Sequence, residues 1–219
     1  LVAAGANWSK ARFSYQEYFE RMDKQAERFG QPVAALLGSI EAQIQLGLPS
    51  IGGKDSMSGT FEELTVPPTL VAFGVTTADS RNVLSPEFKA VGENIYYIPG
   101  HALATEIDFD LIKKNFAQFE ALQKAHKVTA ASAVKYGGVL ESLALATFGN
   151  HIGAEVTLPE LETALTAQLG GFVLTSPEEI AGVEKIGQTS ADFTLTVNGV
   201  KLDGQKLDSA FQGKLEEVY

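Results

Sequence analysis

The chain alternates segments of helical hydrophobic spacing with short apolar segments, and this alternation limits the folds open to it. Residues 14–17 (Ser-Tyr-Gln-Glu) form a capping-box pattern, and apolar residues recur at helical spacing over 15–29 up to Gly30. A second helix is predicted from Pro32 to Gly47, with its apolar face over 33–44. Residues 69–77 are typical of a strand buried on both faces. We therefore predict a mixed α/β sandwich.

The second part of the chain repeats this alternation after polar, irregular sequence that suggests a domain boundary near residue 92. Beyond it we predict a helix over 109–122 with Asp108 as its N-cap. Gly137 and Gly138 open a further helix that Gly149 ends. Asn-Gly at 198–199 predicts a hairpin turn. Strands are predicted at residues 95–98, 128–131, 154–157, 171–175 and 193–197.

Composition excludes several classes of protein. The chain has 219 residues, enough for one large domain or two smaller ones, and a formal net charge of −10. Because nucleic-acid backbones require clustered Lys and Arg, we expect no nucleic-acid partner. No apolar run reaches the length of a membrane span and no signal-peptide pattern is present, so we expect no membrane association. The absence of cysteine excludes disulfides, thiolate metal sites and a cysteine nucleophile, and it fits a cytoplasmic protein.

One polar segment is a candidate for chemistry. Residues 51–59 read Ile-Gly-Gly-Lys-Asp-Ser-Met-Ser-Gly, so a cation, a carboxylate and two hydroxyls follow paired glycines. We predict a glycine-rich loop here, in one sheet with the strand at 69–77 and suited to a phosphorylated substrate. The segment is not a P-loop, because Gly53 displaces Lys54 from the required spacing. A glycine-rich turn with solvated charges is the alternative.

A second glycine pair is the other candidate. Gly137 and Gly138 precede a predicted helix, and we expect unpaired backbone N–H groups there, ready for a phosphate. The three histidines, His101, His126 and His151, show no metal-ligand spacing, so we predict no metal site.

The residues carry a resemblance to a known family. The 51–59 segment, followed by Val-Pro-Pro-Thr-Leu-Val-Ala-Phe at 66–73 and Asp-Ser-Arg at 79–81, resembles the second half of the phosphoribosylformylglycinamidine synthases, the large glutamine-dependent ligases of purine biosynthesis. The Gly-Lys-Asp-Ser-Met-Ser string is quite specific to them. Their relatives aminoimidazole ribonucleotide synthetase, selenophosphate synthase and thiamine-phosphate kinase show a looser loop. The resemblance spans essentially the whole chain from Trp8 onward.

The resemblance implies an architecture. Members of the family have two pseudo-symmetric synthetase halves, each with an N-type domain that builds a shared β-barrel-like core and a C-type α/β domain. We therefore expect an α/β (α+β) fold like that of aminoimidazole ribonucleotide synthetase. Residues 1–92 would be the C-terminal part of the second N-type domain, and residues 93–219 the complete second C-type domain. Because the chain begins with Leu1, we expect a piece of a longer polypeptide, with the first half upstream and a glutaminase domain downstream.

The resemblance also implies a reaction for the complete protein, an ATP-dependent C–N ligase. Formylglycinamide ribonucleotide, ATP and glutamine become formylglycinamidine ribonucleotide, ADP, phosphate and glutamate. ATP and Mg²⁺ are the cofactors expected there, and none is expected to bind tightly to this piece, which should be inactive alone. We also expect that the piece can form a homodimer, because a truncated N-type domain can cover its exposed sheet edge with a second copy.

Site residues follow from the same resemblance. Lys54 and Ser56 are expected to contact the ribonucleotide or the transferred phosphate, and Asp55 to orient Lys54 or a bound metal. These three are the predicted catalytic residues. Substrate binding is assigned to Gly52, Gly53 and Ser58.

The second glycine pair departs from the family pattern. Many relatives carry His-Asp-x-Ser-Asp-Gly-Gly-Leu, whereas this chain has Ser-Ala-Val-Lys-Tyr-Gly-Gly-Val at 132–139. Ala133 and Tyr136 replace both carboxylates, which leaves Mg²⁺ few oxygen ligands. Lys135, Gly137 and Gly138 are the candidate cofactor-binding residues, with the Lys135 ammonium as counter-charge to an anion. An exposed lysine at a helix start is the alternative.

Two functional hypotheses therefore remain open. In the first, the chain is the half of a ligase that contributes substrate-side residues. In the second, it is a non-catalytic scaffold half with a degenerate nucleotide pocket. The 51–59 segment favours the first hypothesis, and the substitutions at Ala133 and Tyr136 favour the second.

Overall fold

The computed structural model describes residues 1–103, 106–159 and 161–215, which divide into two compact units. The first unit consists of Leu1 and Asn7–Thr77, and the second of Val2–Ala6 and the chain from Ala78 onward. This division falls earlier than residue 92. The assignment of residues 1–92 and 93–219 to two family domains stays a prediction.

The first unit is a three-stranded sheet with one long helix. The elements are a 3-10 helix at Trp8–Lys10, β1 (Arg12–Tyr18), α1 (Ala26–Leu46), β2 (Ser50–Ser56), β3 (Thr60–Phe61), β4 (Leu64–Thr65) and β5 (Thr69–Val75). The sheet has the order β2-β1-β5, in which the central strand β1 pairs parallel with β2 and antiparallel with β5. The strands β3 and β4 form a separate hairpin.

The helix predicted over 15–29 is wrong. Residues 14–17 lie in β1, where pairing on both sides satisfies the backbone groups that a helix would otherwise satisfy. The helix begins only at Ala26 and continues through Gly30 and Pro32 as a single element. It ends where predicted, because Gly47 adopts a left-handed φ of 67° and donates its N–H to the carbonyls of Gln43 and Ile44.

The segment predicted as a glycine-rich loop is a strand, β2, and this is a second correction. Its pairing with β1 places it in one sheet with β5, so the predicted shared sheet is confirmed. The strand predicted at 69–77 is also confirmed, but its burial on both faces is wrong, because Leu70, Phe73 and Val75 are all exposed.

The apolar stripe of α1 lies open among the described residues. The helical spacing is as predicted, yet the exposed fraction runs from 40% at Ile40 to 73% at Ile44. The other members of this α1 stripe are Phe29, Val33, Leu36 and Leu37. Exposed apolar surfaces of this kind are typical of interaction sites.

The second unit is built on a seven-stranded sheet. Its elements are 3-10 helices at Ser80–Asn82 and Gly213–Leu215, β6 (Asn94–Ile98), β7 (His101–Ala102), α2 (Phe109–Lys124), β8 (Ala130–Ala133), α3 (Gly138–Phe148), β9 (Gly153–Val156), α4 (Leu161–Ala164), β10 (Gln168–Leu169), β11 (Phe172–Ser176), β12 (Glu184–Ser190), β13 (Thr194–Val197), β14 (Val200–Asp203) and α5 (Gly204–Gln212). The sheet has the order β14-β13-β9-β12-β6-β11-β8, and β7 and β10 form a separate pair. Neighbouring strands of the sheet are antiparallel except β13 and β9, which are parallel.

Helices cover both faces of this sheet. Successive side chains of a strand point to opposite faces, and on β11 Val173 joins the cluster that includes Leu143 of α3. The ring of Phe172 instead stacks on Phe119 of α2, with 4.7 Å between ring centroids. Because α2 and α3 contact alternate residues of β11, they lie on opposite faces. The α/β sandwich predicted from the sequence is thus present in this unit.

Local signals in this unit predicted the structure well. Asp108 caps α2 by accepting a hydrogen bond from the Leu111 N–H at 2.8 Å. Asn198 and Gly199 have φ values of 49° and 82°, as the hairpin between β13 and β14 requires. The strand predicted at 128–131 lies slightly later, at Ala130–Ala133. Among the described helices, none combines the length and apolar content needed to cross a membrane.

Candidate functional site

The predicted catalytic residues lie on β2, which is an edge strand of the first unit. In its register with β1, Lys54 is opposite Gln16 and Asp55 is opposite Glu17. Because side chains alternate along a strand, Lys54 and Ser56 share one face with Gly52, whereas Asp55 points to the other. The strand therefore separates the predicted residues into two sets.

The two glycines of β2 serve different purposes. A Cβ added to Gly53 would lie 2.7 Å from the carbonyl oxygen of Tyr15, so the close approach of β2 to β1 requires glycine there. A Cβ added to Gly52 would meet no atom within 4 Å. Protein packing thus explains Gly53 and leaves the backbone of Gly52 open on the face that carries Lys54.

Lys54 is exposed, and its ammonium lies over an aromatic ring. Its Nζ is 5.6 Å from the ring centroid of Tyr18, a neighbour on the same face of β1. Within the described residues Lys54 forms no salt bridge. The side chain is held over Tyr18 with its charge not neutralised by a carboxylate.

Asp55 lies with other acidic and aromatic residues. Asp55 and Lys54 line a shallow cavity of about 270 Å³ together with Gly53, Tyr15 and Glu17. Burial raises the pKa of the Tyr15 hydroxyl. Asp55 lies on the other face of the strand from Lys54 and forms no salt bridge with it. The role predicted for Asp55, to orient Lys54 or a bound metal, stays a prediction.

Sequence reasoning missed the residues that β1 contributes. The helical spacing over 15–29 places Tyr15, Glu17 and Tyr18 in a helix, and it does not predict their position beside Lys54 and Asp55. The alternation of Phe13 and Tyr15 with polar residues was the available strand signal, and their rings do lie on one face, 5.7 Å apart.

Ser58 does not line the same cavity as Lys54. It lies beyond the end of β2 and lines a different cavity, of about 310 Å³, with Phe61 and Leu64 of the short hairpin. Its assignment to substrate binding stays a prediction.

The second candidate, at the start of α3, differs from the expectation of unpaired N–H groups. The Gly137 N–H donates to Oε2 of Glu141 at 3.0 Å, and the Gly138 N–H donates to the Lys135 carbonyl at 3.1 Å. The prediction that these donors are unpaired is therefore wrong. A carboxylate of the protein lies where a phosphate was expected.

Other atoms of the protein also fill the space beside Gly137 and Gly138, where a side chain would lie. A Cβ on Gly138 would lie 2.2 Å from the Ala164 carbonyl oxygen, and Gly138 has a left-handed φ of 69°. A Cβ on Gly137 would lie 2.6 Å from Cβ of Glu141. Packing within the protein therefore accounts for both glycines.

Lys135 and Tyr136 lie at the rim of a cavity of about 240 Å³ whose other lining residues are mostly apolar. Both side chains are exposed. The glycine donors are already paired, and the assignment of Lys135, Gly137 and Gly138 to cofactor binding stays a prediction. No cluster of metal-ligating side chains is found in the described part of the chain.

Comparison with known proteins bears on the fold. No family model matches the chain, and a search of curated proteins finds no significant match. Among solved structures, phosphoribosylformylglycinamidine synthase II from Thermotoga maritima matches with a TM-score of 0.71 at 15% identity, over 94% of this chain and 39% of that one. Thermotoga maritima PurL complexed with FGAR matches with a TM-score of 0.68 at 13% identity, over 94% and 40%. Thiamine monophosphate kinase from Aquifex aeolicus matches with a TM-score of 0.59 at 13% identity, over 92% and 77%.

These matches agree with the architecture described above. The chain spans about 40% of the length of the synthases it matches. At such low sequence identity the likeness concerns the fold. The α/β fold predicted from the sequence is thus confirmed, and the chain is similar in fold to the phosphoribosylformylglycinamidine synthase and thiamine monophosphate kinase structures.

Proposed function

We propose that this chain is the substrate-side half of the synthetase region of a purine-biosynthesis ligase. The complete protein would convert formylglycinamide ribonucleotide, ATP and glutamine into formylglycinamidine ribonucleotide, ADP, phosphate and glutamate. In this reaction ATP phosphorylates the carbonyl oxygen of the glycinamide, and ammonia released from glutamine then displaces the phosphate, so that the amide becomes the amidine.

The observation that carries the proposal concerns one face of β2. On this face an exposed lysine ammonium lies near backbone that no side chain covers. Lys54 and Ser56 share this face with Gly52, whose missing side chain no protein atom explains. A phosphate needs a cation and close approach to the backbone, and this face offers both. The specific string at 51–59 and the PurL structures of similar fold, which are complexed with ADP, ATP and FGAR, support the same function.

In this proposal Lys54 neutralises the charge that develops on the phosphoryl oxygens, and the Tyr18 ring holds its side chain in place. Ser56 donates a hydrogen bond from the same face. Asp55, on the opposite face, is not needed to position Lys54.

The experiment that tests this function is Lys54→Ala in the complete polypeptide, with turnover measured on added ammonia so that the glutaminase is bypassed. We expect a loss of about 100-fold, by analogy with the removal of one donor to developing negative charge. Lys24→Ala removes an exposed lysine from the same unit and is the matched control. Unchanged turnover and unchanged substrate binding in Lys54→Ala would exclude the proposed role.

A second candidate function is a scaffold half with a degenerate nucleotide pocket, and the start of α3 favours it. The donors expected to receive a phosphate are paired within the protein. Under this proposal the isolated chain has no ligase activity. Formation of ADP that depends on formylglycinamide ribonucleotide, by the purified chain alone, would contradict it.

The α1 stripe, together with exposed residues of β5, suits a partner of similar apolar character. We assign this surface to the remainder of the same polypeptide in the complete protein, or to a second copy when the piece is isolated. Size-exclusion chromatography with light scattering measures this directly. A monodisperse monomer at high concentration would contradict the homodimer.

A further inference from the structure

The start of α3 combines a positive helix end with a negative side chain from the same helix. The first N–H groups of a helix lack partners within it and carry the positive end of its dipole. Here Glu141, one turn further on, folds back so that its Oε2 accepts the Gly137 N–H at 3.0 Å. The carboxylate therefore places a negative charge at the positive end of the helix.

Protein atoms crowd both glycines at this helix start. Cβ, Cδ and Oε2 of Glu141 all lie within 3.1 Å of the point where a Cβ of Gly137 would be. On the other side, the Ala164 carbonyl approaches Gly138 so closely that a Cβ would lie 2.2 Å from its oxygen. Val139, the next residue, is buried. An incoming phosphate would meet the negative charge of Glu141.

We infer that the Glu141 carboxylate takes the place of a bound anion at the N-terminus of α3. This helix end excludes phosphate because the Glu141 carboxylate already lies there. The inference rests on the second proposed function, the scaffold half, in which this helix start corresponds to a nucleotide site. It adds that Glu141 is the residue that closes this site. Lys135, exposed at the rim, does not create an anion site while Glu141 is in place.

The test uses the whole chain, labelled with nitrogen-15, and follows the Gly137 amide resonance during titration with inorganic phosphate and, separately, with Mg·ADP. In the unaltered chain we expect no saturable movement of this resonance. In Glu141→Ala, which removes both the charge and the oxygen acceptor, we expect saturable movement and an affinity for phosphate at least tenfold higher. The control is Glu179→Ala, which removes one exposed carboxylate elsewhere in the same unit.

Glu141→Gln keeps the test valid if Glu141→Ala fails to fold. It retains an oxygen for the Gly137 N–H and removes only the charge, so we expect a smaller gain in phosphate affinity that still exceeds that of Glu179→Ala. Saturable movement of the Gly137 resonance in the unaltered chain would overturn the inference. So would Glu141 variants that bind phosphate no better than Glu179→Ala.

The same titration separates this inference from the proposed function. Mg·ADP that binds the unaltered chain while the Gly137 resonance stays in place would contradict the scaffold function, yet it would support the exclusion of phosphate at Gly137. Loss of turnover in Lys54→Ala bears on the first proposed function and not on Glu141.

Discussion

The two glycine pairs of this chain look alike in sequence and differ in what lies against them. Gly52 and Gly53 lie in a strand, and no protein atom would meet a Cβ at Gly52 within 4 Å. Gly137 and Gly138 start a helix, and Glu141 and Ala164 fill the space beside them. A glycine indicates the approach of a ligand only where the protein itself does not use the space.

The difference also concerns charge. The face of β2 leaves the Lys54 ammonium without a carboxylate partner among the described residues. The start of α3 receives a carboxylate on its positive end. One pair therefore lies beside an ammonium without a salt-bridge partner, and the other lies beside a carboxylate.

Substituting the glycines one at a time gives the largest expected effect. Gly138→Ala forces a side chain into a left-handed backbone and against the Ala164 carbonyl, so we expect a loss of about 3 kcal/mol in the free energy of unfolding. Gly53→Ala should cost less, because the overlap with the Tyr15 oxygen is at an edge strand that can shift. Gly52→Ala should be within about 0.5 kcal/mol of the unaltered chain. Urea unfolding of the purified chain measures all three, and a strongly destabilised Gly52→Ala would break the comparison.

Removal of the Tyr18 ring beneath Lys54 should have a smaller effect, on substrate affinity. Tyr18→Leu removes the aromatic face on which the ammonium lies, and we expect the complete enzyme to lose about two- to fivefold in substrate affinity, the equivalent of about 0.5–1 kcal/mol. Tyr18→Phe keeps the ring and gives up only the hydrogen bond from the hydroxyl to Gln16, so it is the matched control. Equal losses in both variants would show that the ring does not act through Lys54.

The smallest expected effect is on stability and concerns Glu87, which lies beside the C-terminal end of α3. The same residue allows a test of pH dependence. A Cβ on Gly149 would lie 2.7 Å from Cβ of Glu87, so a glutamate side chain covers this glycine too. The hydrogen bond from Lys89, with a further one from Ser85, lowers the pKa of Glu87 to about 2.

Because the folded pKa of Glu87 lies below the ordinary value of 4.5, its stabilisation is present above that pH and is lost as the pH falls toward 2. We expect Glu87→Gln to be less stable than the unaltered chain at pH 6 by about 1 kcal/mol or less, because the pair is one-third exposed. The gap should close as the pH is lowered from 4.5 to 2. A gap that stays constant over this range would show that the charge of Glu87 is not the cause.

Local signals were sufficient for part of the fold. The N-cap at Asp108, the helix end at Gly47 and the hairpin at Asn198 each depend on a few neighbouring residues, and each was predicted correctly. The capping-box pattern at 14–17 was misleading, because the same residues also satisfy a strand once β2 and β5 pair with them. Strand pairing depends on residues far away in sequence, and a local pattern does not contain them.

The features of the candidate site also divide into those that the local sequence predicts and those that depend on distant residues. By itself, the sequence determined which polar residues follow the glycines at 51–59 and that an α/β fold is formed, since these follow from residue types and spacing. Only the tertiary structure decided that Lys54 lies over Tyr18 and away from Asp55, that Gly52 is open, and that Glu141 closes the start of α3. These depend on which strand pairs with which and on where a side chain folds back, and both are settled by packing across the molecule.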